Sequence, residues 1–270
     1  KNKIILTGSS GFLGSAIYRS LGHRNIALLG RKNLFKESLF FKKQLSGYED
    51  YSDCFASVET IIHCAARVHI MDDKTLDPLS DFREVNTAGT LNLARQAAAS
   101  GVKRFIFISS IKVNGETTSR GTEFTSDDEA KPRDPYGISK AEAEAGLLGV
   151  AKETGLEVVI IRPTLVYGPG VKGNFLNLLK LSNLSVPLPF GSINNKRSMV
   201  YLDNLVDLII TCIEHPRAAG KIFLASDGDD LSLARLLGLI RKSMNKRPLL
   251  IPIPSMFFML IGKIIGKGEV

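Results

Sequence analysis

The stretch KIILTGSSGFLG, residues 3–14, decides the fold. A short run of mostly branched apolar side chains reads as a buried strand, and FLGSAIYRSL after it has helical spacing. Between them stand Gly8, Gly11 and Gly14. Such a turn is tight, lets a backbone approach a pyrophosphate closely, and opens a helix whose first N–H groups attract an anion. The spacing is G-x-x-G-x-x-G rather than the commoner G-x-G-x-x-G. We read Gly8, Ser10, Gly11, Phe12, Leu13 and Gly14 as a dinucleotide-binding turn.

The chain outward from this turn repeats the pattern. Apolar runs at KIILT (3–7), IALL (26–29), TIIH (60–63), RFIFIS (104–109) and EVVII (157–161) alternate with helical segments at 12–21, 86–100 and 136–154. Strands without polar alternation, separated by helices, specify βαβ units and a parallel sheet covered on both faces. Gly101 and Gly155 stand where helix C-caps are expected. The fold class is α/β, a doubly wound Rossmann-type sheet with a smaller C-terminal substrate-binding lobe. Regularity fades after residue 165 into YGPGVKGNF and VPLPFGSINNKRS, then returns with a helix over 202–214 and a strand at KIFLA (221–225). The expected domains are therefore 1–165 with 203–225 for the dinucleotide, and 166–202 with 226–270 for the substrate, the latter over the strand ends.

A chain of 270 residues, 44% hydrophobic, can bury a full core. No apolar run reaches the roughly 18 residues a spanning helix needs; MFFMLIGKII (256–265) is broken by Gly262 and Lys263 and reads as a partner-packed or interface helix. Cys54, Cys64 and Cys212 form no pair at metal or redox spacing, which fits buried thiols in a reducing cytoplasm. No secretory leader pattern is visible, so the expected location is cytoplasmic. The chain lacks an initiator Met and stops abruptly at Gly268-Glu269-Val270, so we expect an incomplete C-terminus. The net charge of +8, with RKSMNKR (241–247) its densest cluster, comes with no nucleic-acid motif and reads as a solvated basic face or a site for anionic small molecules. Asp72, Asp73, Asp127, Asp128 and Glu129 have no His or Cys at ligand spacing, so no metal is expected.

The second strand sets the cofactor. An Asp or Glu about 20 residues beyond the glycine turn would hold the adenosine 2′-hydroxyl of NAD. Here the strand ends in Gly30, Arg31 and Lys32, and no acid appears before Glu37. An Arg can clamp a 2′-phosphate that a carboxylate would repel, so NADP(H) is favoured over NAD(H), with Arg31 and Lys32 as contacts.

Six motifs in order, TGSSGFLG (7–14), HCAA (63–66), Val85-Asn86, FISSIKVNG (107–115), YGISK (136–140) and RPTLVYGPG (162–170), resemble the extended short-chain dehydrogenase/reductase family, in its NAD-dependent epimerase/dehydratase branch. The resemblance implies that Tyr136 is the proton shuttle, that Lys140 lowers its pKa and holds the nicotinamide ribose, and that Ser110 hydrogen-bonds the reacting oxygen. It also places Ala65, Ala66, Asn86, Ser109 and Pro163 against the cofactor. Physical chemistry supports the pair independently. A phenol with pKa near 10 needs a shift of about three units, roughly 4 kcal/mol, to act near neutrality. An ammonium at about 5 Å and an effective dielectric near 20 supplies on the order of 3 kcal/mol. The four-residue spacing puts Tyr136 and Lys140 on one helix face. This sequence has Asn114 where the family commonly has Tyr.

The resemblance also narrows the reaction. Family dehydratases carry Asp and Glu where this chain has Ile111 and Lys112, so dehydration is not expected. Two readings remain, both moving hydride at carbon 4 of a UDP-hexose or UDP-N-acetyl-hexosamine. The absent acid near Arg31 leans toward an NADPH-dependent 4-keto reductase; the alternative is a UDP-glucose/UDP-GlcNAc 4-epimerase with tightly bound NAD, and a remoter one is a non-catalytic NADP-binding regulator. HCAARVHIMDD (63–73) resembles the subgroup acting on UDP-N-acetyl-hexosamines in bacterial surface-polysaccharide synthesis. In that segment His63 reads as a satisfied strand-end residue. Asn174 and Arg197 resemble contacts to the substrate amide and diphosphate. Relatives often pair through the helices holding 86–100 and 136–154, so a homodimer is expected.

Overall fold

The computed structural model describes residues 3–22, 25–68, 77–119 and 121–254. Seven parallel strands form the central sheet: β1 (Lys3–Thr7), β2 (Ile26–Gly30), β3 (Leu39–Lys42), β4 (Val58–His63), β5 (Arg104–Ile108), β6 (Glu157–Pro163) and β9 (Ile222–Ala225), in spatial order 3-2-1-4-5-6-9. The remaining strands are β7 (Leu165–Tyr167) and β8 (Met199–Tyr201). The helices are α1 (Phe12–Leu21), α2 (Pro78–Phe82), α3 (Gly89–Ala99), α4 (Pro135–Thr154), α5 (Gly173–Asn183), α6 (Leu202–Glu214) and α7 (Leu233–Ser243).

The strands carry continuous apolar runs because both faces are buried. Ile5, Ile61, Phe105, Phe107, Val158 and Ile160 join one cluster with Leu93, Ala94 and Ala97 of α3 and Ala143, Leu147 and Val150 of α4. The alternate residues Ile4, Leu6, Ile62, Ile106, Val159 and Ile161 are equally buried, and α6 packs against β5, β6 and α1. The sheet is thus doubly wound, and the order reverses between β1 and β4. Ligands of such sheets bind at that reversal, beyond the C-terminal strand ends.

The chain divides into two compact units. One runs up to Thr164 and includes Val200–Ala225; the other takes Leu165–Met199 and the chain from Ser226 on. In the second, Phe175 of α5, Met199, and Leu236 and Ile240 of α7 make a small core.

Three features were not anticipated from the sequence. The short edge strand β3, LFFK, lies among exposed and half-buried side chains that carry no period. The helix expected to begin near Asn86 opens with a π-helical segment over Arg83–Ala88. Within the basic cluster at 241–247, Arg241 is 1% exposed and donates to the carbonyls of Leu249, Leu184 and Val186 at 3.2, 2.8 and 2.6 Å. That guanidinium pins two extended segments of the second unit and is no part of a surface patch. Segments 69–76 and 255–270, and with them His69, Asp72, Asp73 and the MFFMLIGKII run, lie outside the described residues.

Candidate functional site

The glycine turn lies at the sheet's reversal point. Gly8 has φ +72°, and a Cβ there would sit 2.7 Å from the Ala65 nitrogen and 2.8 Å from the Cys64 carbonyl carbon, so the loops after β1 and β4 touch backbone to backbone. At Gly14 a Cβ would lie 2.2 Å from the Gly8 oxygen, which only a glycine avoids. Gly11 precedes α1 with no side-chain cap on the helix, and Ser10 is exposed. The first N–H groups of a helix have no intrahelical acceptor, so this end suits a phosphate.

His63 explains how the loop after β4 is held. Its Nδ1 and Nε2 lie 2.9 Å from the hydroxyls of Thr7 and Thr90, and Thr7 Oγ1 accepts from the Ala65 N–H at 3.1 Å. Complete burial, reinforced by the charge of Lys140, pushes the His63 pKa down to about 3, so the ring is neutral. This is the satisfied strand-end histidine that the sequence reading describes.

Asn86 closes the other side of that loop. Its Oδ1 accepts from the Arg67 N–H at 2.8 Å, while Nδ2 donates to the Arg67 carbonyl and to Ser139 Oγ, each at 3.0 Å. Ser139 in turn donates to the Tyr136 carbonyl at 2.8 Å. The buried amide therefore ties the 64–67 loop to the first turn of α4; these bonds occupy its side chain with protein partners.

Asp134 and Pro135 start α4, the Asp134 carboxylate accepting from the Gly137 N–H at 2.7 Å. Tyr136 meets the edge of the buried Phe82 ring, centroids 6.2 Å apart. One turn on, Lys140 is 1% exposed; its Nζ donates to the Ile108 carbonyl at 2.8 Å and lies 4.4 Å from the Phe107 ring centroid and 5.9 Å from that of Tyr136. Ser110 sits at the mouth of β5, its Oγ accepting from the Lys112 N–H at 3.3 Å, and Lys112 makes an ion pair with Asp134. That pair joins the Ser110 turn to the start of α4. Ser109, also after β5, has a buried hydroxyl with no hydrogen-bond partner. An orphaned buried hydroxyl after β5 and an uncapped helix end after β1, on either side of β4 in the sheet, fit the two ends of a dinucleotide.

The electrostatics depart from the simple expectation in one respect. Burial, then the Asp134 charge, raises Tyr136 to about 12, and burial lowers Lys140 to about 8 against the opposing pull of Cys64 and Glu144. Desolvation and a neighbouring carboxylate both disfavour the phenolate here, so in this state the phenol keeps its proton.

Arg31 and Lys32 follow β2 and are exposed; Ala65 and Ala66 are half-buried beside Gly8; Pro163 is buried at the end of β6. All of these belong to the first unit, as do Ser109, Ser110, Tyr136 and Lys140. Asn174, at the start of α5, and Arg197, whose backbone bridges Leu231, are exposed residues of the second unit. Sequence reasoning missed a buried cluster behind the site, Glu144, Arg162 and Asn114; Asn114 in place of the family's common Tyr, and the Arg of RPTLVYGPG, were its visible signs.

Residues 4–225 match the model of the NAD dependent epimerase/dehydratase family. The chain belongs to that family. It is an enzyme of the extended short-chain dehydrogenase/reductase class, as the motifs imply. Among curated relatives, a UDP-glucose 4-epimerase of Vibrio cholerae is 49% identical over 273 residues, covering 99% of this chain and 83% of the relative. Among solved structures, UDP-N-acetylglucosamine 4-epimerase from Bacillus cereus has a TM-score of 0.80 at 18% identity, covering 93% of this chain and 85% of that one. UDP-glucuronic acid 4-epimerase from Bacillus cereus, in complex with NAD, has a TM-score of 0.77 at 20% identity, covering 92% and 88%. These two likenesses are of fold. No helix among the described residues is long and apolar enough to cross a membrane.

Proposed function

We propose that this enzyme is a UDP-glucose 4-epimerase that works with resident NAD. The observation that carries the reading is the 49% identity with the Vibrio cholerae UDP-glucose 4-epimerase across nearly the whole chain, joined to an intact Ser110, Tyr136 and Lys140. The lean toward NADPH and a 4-keto reductase rested on Arg31 and the missing acid. It gains no support from the comparisons, among whose solved structures is one in complex with NAD.

Bound NAD supplies the hydride acceptor and donor for sugar carbon 4. With the positive charge of oxidised NAD in place to favour the phenolate, Tyr136 would take the proton of the 4-hydroxyl and return it when the alcohol re-forms on the other face. Ser110, whose oxygen accepts from Lys112 N–H, keeps its own O–H free to donate to the reacting oxygen. Lys140 keeps a positive charge by the phenol and the nicotinamide ribose. Gly8, Ser10, Gly11, Phe12, Leu13 and Gly14 hold the pyrophosphate, with Ala65, Ala66, Ser109 and Pro163 lining the cofactor and Asn86 serving it by holding the 64–67 loop. Arg197 meets the UDP diphosphate and Asn174 the sugar side, so the second unit serves the substrate. A homodimer through α3 and α4 belongs to the same reading, and light scattering on the purified protein tests it.

Mass analysis of cofactor released from purified protein, followed by incubation with UDP-glucose and with UDP-N-acetylglucosamine without added cofactor, tests the function. Bound NAD and formation of UDP-galactose are expected. NADPH consumption with a 4-keto sugar, and no interconversion, would overturn it.

A further inference from the structure

Glu144, Arg162 and Asn114 are 4, 4 and 3% exposed, and none touches the proposed reacting atoms. Arg162, near the end of β6, gives Nε and Nη2 to the Glu144 carboxylate at 2.6–3.2 Å. Its Nη1 donates to Asn114 Oδ1 at 2.9 Å. A guanidinium can only donate, so the oxygen of the Asn114 amide must face it and the nitrogen must turn away. That nitrogen donates to the Thr125 carbonyl at 2.8 Å.

The three residues come from the three elements that carry the site. Glu144 lies on α4 one turn beyond Lys140, Arg162 next to Pro163, and Asn114 at the end of the 3-10 turn Ile111–Val113, whose N-cap is Ser110. Two ties therefore fix the Ser110 turn on α4. The Lys112–Asp134 pair is partly exposed and open to solvent screening. The Asn114–Arg162–Glu144 tie is buried, and each of its side-chain nitrogens and oxygens has a partner, which narrows its geometry. The second tie also reaches the connection between the turn and α4: Thr125, held through Asn114, bonds Asp128 by its N–H and hydroxyl, and Lys131 N–H donates to the Val113 carbonyl at 2.9 Å.

From this arrangement we infer that Asn114 is a positioning residue, holding the Ser110 hydroxyl in register with Tyr136 and Lys140 through the buried Arg162–Glu144 pair. The inference rests on the proposed 4-epimerase reading for its kinetic test. Displacing a catalytic group by about an ångström costs on the order of a hundredfold in rate, while leaving ground-state binding through remote contacts.

Full-length wild type, Asn114→Ala and Asn114→Asp are assayed for UDP-galactose formation, and amide hydrogen exchange is followed at 111–114. Asn114→Ala is expected to lower kcat at least about tenfold with KM within about twofold, and to speed exchange in the turn. Asn114→Asp keeps an oxygen toward Arg162 but loses the N–H given to the Thr125 carbonyl, so it should recover part of both. Where the Ala variant does not fold, Asn114→Ser replaces it. Wild-type kcat in the Ala variant, a loss confined to KM, or an Asp variant as impaired as Ala overturns the inference. A wild type that does not interconvert the two sugars refutes the 4-epimerase reading instead; the exchange measurement then judges Asn114 alone, with equal protection in all three proteins overturning it.

Discussion

Lys140 Nζ donates to the carbonyl of Ile108 at 2.8 Å, so α4 is fastened at its second turn to the last residue of β5. The same bond aims the ammonium at the strand end where Ser109 and Ser110 follow. Burial holds Lys140 down to about 8, which makes its charge conditional in the working pH range. The ammonium is present below that value and is lost as pH rises through it, so kcat/KM should fall on an alkaline limb near pH 8. Lys140→Met should lower kcat by at least about a hundredfold and remove that limb. A pH–rate series from 6 to 10 on both proteins checks the assignment; a limb that persists in the variant belongs to another group.

Tyr136 offers a cleaner separation of chemistry from packing. Its ring is wedged against Phe82, and Phe in its place would keep that contact while removing the hydroxyl. Tyr136→Phe should melt within about 2 °C of wild type, retain its cofactor, and lose about three orders of magnitude in turnover. Comparison of thermal melts with the rate of UDP-galactose formation decides it. Appreciable turnover would show that the proton is carried by some other group.

The strand–turn–helix order and the Tyr136–Lys140 face were legible because each rests on local spacing. Five of the seven central strands announce themselves as apolar runs, and KIFLA gave a sixth. The edge strand β3 did not, since only one side of LFFK has a neighbour strand and its side chains follow no period. Arg241 and Arg162 were opaque for another reason. A buried arginine is written in the sequence like an exposed one, and the carbonyls or carboxylate that satisfy it come from 8 to 57 residues away. Asn114 was read only as a departure from the family's common Tyr, and its amide turns inward to Arg162.

His63 should make the fold acid-sensitive. Its folded pKa, about 3, lies below the ordinary 6.5, so the unfolded chain binds this proton first. Its contribution to stability is full above about 6.5 and is progressively lost as pH falls toward the folded value. Denaturant melts at pH 7.5, 6 and 4.5 should show that loss in wild type. His63→Gln should be less stable by about 1–3 kcal/mol at pH 7.5, from hydroxyls left poorly paired, yet show a flatter pH dependence. A variant with the wild-type slope would place the acid sensitivity elsewhere.

Gly14 and Gly30 form a matched pair for testing the cofactor turn. A Cβ at Gly14 would stand 2.2 Å from the Gly8 carbonyl oxygen and 2.7 Å from its carbon, both backbone atoms that cannot step aside without moving the turn. At Gly30, at the end of β2, a Cβ would meet nothing within 4 Å. Gly14→Ala should therefore pull α1 away from the turn and weaken retention of NAD by at least about tenfold, with a lower melting temperature. Gly30→Ala should keep the fold and bind NAD to within about threefold of wild type, because it adds a methyl group to open space. Titration of each cofactor-stripped protein with NAD and with NADP reads both effects and the preference at once. Tighter binding of NADP than NAD by wild type would reinstate the role of Arg31 as a 2′-phosphate clamp, and full NAD affinity in Gly14→Ala would remove the turn from the cofactor site.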